Sequence, residues 1–150
     1  MNMMKRIQLG LIAAMTMLLI ACGGGGDGSG PIPEGTPNFA GNYQMSTLTL
    51  SSNTCGGSPD ASIAGGPDTV IQNGRTVTTA DGKLSGSVDS DNGGYTFSKS
   101  EVVDGVTVIT TIKMRLTATG AATFNVTLSA AGSLGIASCS ITYTGTATKV

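Results

Sequence analysis

Residues 95–116 read YTFSKSEVVDGVTVITTIKMRL, two alternating runs joined by Asp104 and Gly105. A two-residue turn at Asp-Gly sets the register of such a hairpin, and residues that face each other across it must point to the same side. With Asp104 and Gly105 at the turn, Phe97 faces Ile112 and Tyr95 faces Met114. Ser98 faces Thr111 on the other side. The apolar residues therefore gather on one face without adjustment, as a half-buried antiparallel pair requires.

The same test extends along the chain in both directions. Asn73 and Gly74 as a turn set Val70 against Val77, and Asp81 and Gly82 set Val77 against Gly86. Gly86 then lies opposite Phe97 if the next loop runs from Asp89 to Gly94, so a small residue sits beside a large one. A loop of Thr119, Gly120 and Ala121 pairs Leu116 with Phe124 and Met114 with Val126. Placing Ile141 against Leu128 then sets Tyr143 against Val126 and Gly145 against Phe124.

This pattern predicts about eight strands, over residues 42–54, 69–72, 75–80, 83–88, 95–103, 106–118, 122–130 and 138–149. The first needs a bulge near Ser46 or Thr47, because Tyr43 and Met45 share one parity and Leu48 and Leu50 the other. Short turns between successive strands describe an all-β, up-and-down antiparallel barrel over residues 39–150; a two-sheet β-sandwich is the alternative. Cys55 ends the first strand and Cys139 opens the last, and closure brings these positions side by side. In an oxidising compartment the pair is expected to form a disulfide; two separate thiols are the competing reading. The outward set, including Thr107, Thr111, Lys113, Thr127, Thr144 and Thr146, is wettable. A membrane-spanning barrel would carry the reverse pattern.

Composition narrows the chemistry. The 150 residues carry eight basic and nine acidic side chains, with no histidine and no tryptophan. Without histidine the usual general base and the favoured zinc ligand are missing, so neither catalysis nor a metal or other cofactor is expected. The thin charge has no basic stripe of the kind that binds nucleic acid.

At the front, Lys5 and Arg6 precede an apolar run that ends at Leu19, Ile20, Ala21 and Cys22, followed by Gly23 to Gly26. Residues 1–21 have the layout of a secretory signal peptide. The Leu-Ile-Ala-Cys stretch resembles the lipobox of bacterial lipoproteins. That resemblance implies cleavage before Cys22, a diacylglyceryl group on its thiol and acylation of its new amine, hence a lasting membrane anchor. Gly23, in place of an aspartate, implies delivery to the outer membrane. Residues 22–38, rich in glycine and proline, read as a tether. Removing residues 1–21 leaves about 130 residues, enough for one domain.

Small eight-stranded barrels of this kind resemble the lipocalin and avidin families in architecture. Gly41, Asn42 and Tyr43 look like their glycine, any residue, tryptophan signature with tyrosine substituted. Two functions follow as expectations. The first is a non-catalytic, lipid-anchored envelope lipoprotein that displays the barrel as an interaction or structural module for an envelope protein. The alternative is a carrier or sensor whose small apolar ligand meets Tyr43, Tyr95, Phe97, Met114 and Tyr143, with Lys99 and Glu101 as a polar rim. Other motifs have plainer readings. Asp89 and Asp91 alternate like the start of a calcium loop, but Gly93 and Ser100 stand where ligands belong, so a hairpin turn is expected.

Overall fold

A computed structural model describes residues 31–118, 122–134 and 137–150. The signal segment, Cys22 and the first part of the expected tether lie outside the described residues, as do residues 119–121 of one expected turn.

Ten strands are described: β1 Gly41–Met45, β2 Leu48–Asn53, β3 Ser62–Ile63, β4 Pro67–Asn73, β5 Thr76–Thr79, β6 Ser85–Val88, β7 Gly94–Val103, β8 Val106–Leu116, β9 Thr123–Leu134 and β10 Ala137–Lys149. They form one antiparallel sheet in which β1 pairs with both β4 and β10, so the sheet closes on itself. Taken together, β1 and β2 are one bent strand that runs along β10, which gives an eight-stranded barrel with β3 added on its outer edge. The barrel, not the sandwich, is the fold.

The bend falls where parity demanded it. Met45 pairs with Ala147 and Thr49 with Thr144, which leaves one extra residue on the first strand around Ser46 and Thr47. The Ser46 amide donates to the Thr146 carbonyl at 2.8 Å, and the Thr146 amide donates to Ser46 Oγ at 3.0 Å, so the bulge leaves neither amide unpaired. Gly145 makes room for it, since a Cβ there would lie 2.6 Å from Leu48 Cδ2 and 3.0 Å from the Thr47 carbonyl. A second register shift, opposite Thr142 and Tyr143 of β10, leaves Ser51 as an extra residue on β2.

Several hairpin registers stand as read from the sequence. Tyr95 pairs with Met114, Phe97 with Ile112, Gly86 with Phe97, Val77 with Gly86, and Leu116 with Phe124. Two others slip by two residues. Val70 pairs with Thr79 and Val77 with Gln72, because the tight turn is Gly74 and Arg75, with the positive φ of 60° at Gly74, its first central residue. Ile141 pairs with Ala130 and Tyr143 with Leu128, while Gly145 faces Val126. There β9 continues through Ala131, Gly132 and Ser133, residues that the sequence reading had given to a loop. A slip of two residues keeps every side chain on its face, so the core composition is unchanged.

The core is built from these inward positions: Tyr43, Leu48, Val77, Tyr95, Phe97, Met114, Phe124, Val126, Leu128 and Tyr143 are all buried. Cys55 and Cys139 form a disulfide with Cα atoms 4.8 Å apart across 84 positions of sequence. The bond joins the segment after β2 to the start of β10. Removing it frees a long loop in the unfolded chain, worth roughly 4 kcal/mol in the chain-entropy account. The variant C55S/C139S is expected to lose about that much in urea titrations while keeping the β-type circular dichroism spectrum at low denaturant. A loss below about 1 kcal/mol would show that the bond adds little to barrel closure.

Candidate functional site

The barrel has two ends. Residues 31–41 enter at the base, beside the turns after β4 and β6 and the last residues of β10. The Asp104 turn, the disulfide and the segment between β2 and β4 lie at the far end.

Of the apolar residues expected to meet a ligand, Tyr43, Tyr95 and Phe97 pack together in the interior. The Tyr95 ring contacts Phe97 at 5.4 Å, Phe39 at 5.3 Å and Tyr43 at 6.2 Å between centroids, and Tyr43 contacts Phe124 at 5.3 Å. Edge-on and tilted pairs at such distances add about 0.5 to 1.5 kcal/mol each beyond burial. Phe39, from just before β1, closes the stack from the base. Met114 faces Tyr95 across the β7 and β8 pair. Tyr143 is buried apart from this ring cluster. Two hydroxyls are used by backbone: Tyr43 donates to the Phe39 carbonyl at 2.6 Å and Tyr143 to the Asp60 carbonyl at 3.0 Å. Burial pushes the Tyr43 hydroxyl up to about 12 and holds Tyr95 well above the usual range, so both stay neutral.

Lys99 and Glu101 do point inward near the far end, on the part of β7 that runs past β6. They form an ion pair at 2.8 Å, with side chains 24% and 22% exposed. Glu101 Oε1 and Thr110 Oγ1 are buried with no hydrogen-bond partner among the described residues. The cluster is therefore polar but only partly satisfied.

Three residues that sequence reasoning passed over shape the ends of the barrel. Gln72 is fully buried and ties down the entering chain: its Oε1 accepts from the Phe39 amide at 2.7 Å, and its Nε2 donates to the Pro37 carbonyl at 3.0 Å and the Gly74 carbonyl at 2.9 Å. Asn92 donates to the Gly35 carbonyl at 3.1 Å, so the last residues of the expected tether are bonded to the base. Asp68 lies opposite Tyr43 on β4, and burial raises its carboxyl to about 6, against a hydrogen bond from the Thr69 amide and with help from the Asp81 charge. Its parity with Val70 and Gln72 was the available signal, but the strand was begun one residue too late to use it.

At the base, Arg115 forks onto Asp91, with Nη1 at 2.8 Å and Nη2 at 2.7 Å, and reaches Asp89 Oδ2 at 3.1 Å. These bonds raise the guanidinium's pKa and hold the Asp91 carboxyl well below the usual range. The alternating carboxylates thus serve a hairpin turn braced by an arginine. Lys149, a fourth such residue, crosses the base from the end of β10. A cleft of about 830 Å³ opens beside it, lined in part by Phe39, Asp91, Arg115, Leu116, Phe124 and Lys149.

The chain matches no family model, no curated protein and no solved structure.

Asp68 carries a pH dependence with a definite sign. Its folded pKa, about 6, stands above the ordinary 3.8, so folding favours the protonated form. That contribution is full below about pH 4 and is lost as pH rises through 6. Asp68→Asn is expected to be neutral at pH 3.5 and to stabilise the protein by roughly 2 kcal/mol at pH 7.5, read from urea midpoints at both values. Equal midpoint shifts at the two pH values would show that Asp68 ionises as in the unfolded chain.

Proposed function

We propose that this chain is a non-catalytic lipoprotein of the bacterial cell envelope, anchored through acylated Cys22 and delivered to the outer membrane, with the barrel displayed as an interaction or structural module. The anchor rests on the positive lead at Lys5 and Arg6, the apolar run after it and the small residue before Cys22. Two or three acyl chains, at about 0.8 kcal/mol per buried methylene, make spontaneous release negligible.

The observation that carries the module reading is the packed interior. Six ring contacts link Phe39, Tyr43, Tyr95, Phe97 and Phe124 at 5.3 to 6.2 Å, which supports an interior filled by side chains over one that holds a guest. An eight-stranded barrel is only wide enough for one of these uses. Recognition then falls to the outside, where the faces of β8, β9 and β10 present rows of threonine with Lys113 and Asn125. Threonine on a wet strand face offers a hydroxyl and a methyl at low entropic cost, which suits contact with another folded surface.

Mass spectrometry of detergent-extracted protein from its own host should find residues 1–21 removed and Cys22 acylated, and an intact Met1 would remove the anchor. For the module, a photoreactive residue at Thr107, Thr127 or Thr144 should give discrete protein adducts in intact cells. If no outward position yields an adduct, the outer face does not recognise a protein.

A further inference from the structure

The cleft at the base has the size of small-molecule sites, which run from about 300 to 1,000 Å³. It lies outside the packed interior, between the entering chain, the turn at Asp91 to Gly93 and the ends of β8 and β10. Its apolar surface comes from Pro37, Leu116, Ala118 and Ala122, with the buried rings of Phe39 and Phe124 behind them.

The two cations on its border differ. Arg115 is engaged by both Asp89 and Asp91. Lys149 has no carboxylate partner among the described residues; its ammonium donates to the Asn38 carbonyl at 3.3 Å and stands 6.0 Å from the centre of the Tyr43 ring. The side chain is held in place rather than loose. Its stem lies across Gly41, where φ is +143° and an added Cβ would come 2.7 Å from Lys149 Cε. Burial lowers its pKa, so the charge is partly stripped of water. An ammonium has three donors, and the described residues satisfy one.

We propose that this cleft binds an amphiphilic anion, with a carboxylate or phosphate head on Lys149 and an apolar tail against Pro37, Leu116 and Ala122. A fixed cation beside an apolar wall selects a molecule with both features, because either contact alone leaves the other half of the site unmatched. A free alkyl acid and the headgroup region of an anionic phospholipid share this chemistry. The inference does not depend on the anchor at Cys22 or on the module reading, since neither involves Lys149.

The test uses the full chain in phosphatidylcholine nanodiscs and follows the amide resonances of Phe39, Leu116 and Lys149. In one arm octanoate is added; in the other, part of the phosphatidylcholine is replaced by phosphatidylglycerol. Saturable shifts with octanoate identify a free acid as ligand, and shifts with phosphatidylglycerol alone identify the lipid. Lys149→Met keeps the stem over Gly41 and should weaken binding by about tenfold or more, whereas Lys149→Arg should stay near wild type. Octanol, with the tail but no charge, should bind weakly and equally to all three proteins. The proposal is overturned if neither anion shifts these resonances, or if Lys149→Met binds as tightly as wild type.

Discussion

Everything in this molecule depends on one strand being hydrogen-bonded along both of its edges. β1 pairs with β4 on one side and β10 on the other, and without that double pairing the sheet would be an open meander with long exposed edges. The strand achieves this only by bending. Its first half serves the closure, and its second half, after the bulge at Ser46 and Thr47, stays on β10 while leaving β4. The side-chain hydroxyl of Ser46 fills the gap in the ladder, and Gly145 vacates the space that the crossing chain needs. The disulfide from Cys55 to Cys139 then fixes the far end of the same strand pair. Three local features, a bulge, a missing side chain and a sulfur bridge, thus act on one seam.

Much of this was legible because a strand's side-chain period is two and a tight turn leaves little freedom in register. Where an Asp-Gly turn and strict alternation coincided, as in β7 and β8, individual residue pairs followed from the sequence. Where the sequence places the turn one residue early, at Asn73 and Gly74, or its alternation stops short of the strand ends, as at β9 and β10, the pairs slip by two while the faces stay correct. The hydrophobic pattern fixes which way a residue points; the backbone geometry of the turn fixes its partner. Gln72 shows the limit from another side. A buried glutamine looks misplaced in an alternating strand until the entering chain supplies Phe39 and Pro37 as partners, and those lie more than thirty positions away in sequence. Asp68 and Lys149 were hidden for the same reason, since their surroundings are assembled from segments that no local pattern joins.

The distribution of polar groups follows from the packing. Aromatic rings cluster inside the barrel, and most charged side chains stand at its ends or on its outer face, where water can share the cost of desolvation. At the base, side chains tie separate segments together. Gln72, Asn92 and the fork from Arg115 to Asp91 bind the entering chain and the neighbouring turn into one layer, so a surface cleft there has fixed walls. Preorganised walls reduce the entropy lost on binding, and this is the physical reason to look for recognition at the base instead of in the interior.

The far end has a different problem. Ser85 is the last β6 residue beside β7, opposite Ser98, so Lys99 to Val103 continue with no strand partner on that side among the described residues. Exposed strand edges invite pairing with other chains, and inward-pointing charges beside the edge are one way in which proteins discourage it. Lys99 and Glu101 are such a pair. A strand added at this edge would shut their 24% and 22% exposed side chains further from water, while Glu101 Oε1 already lacks a partner among the described residues. The desolvation that makes this inward pair a poor piece of core is the same penalty an intruding strand would have to meet.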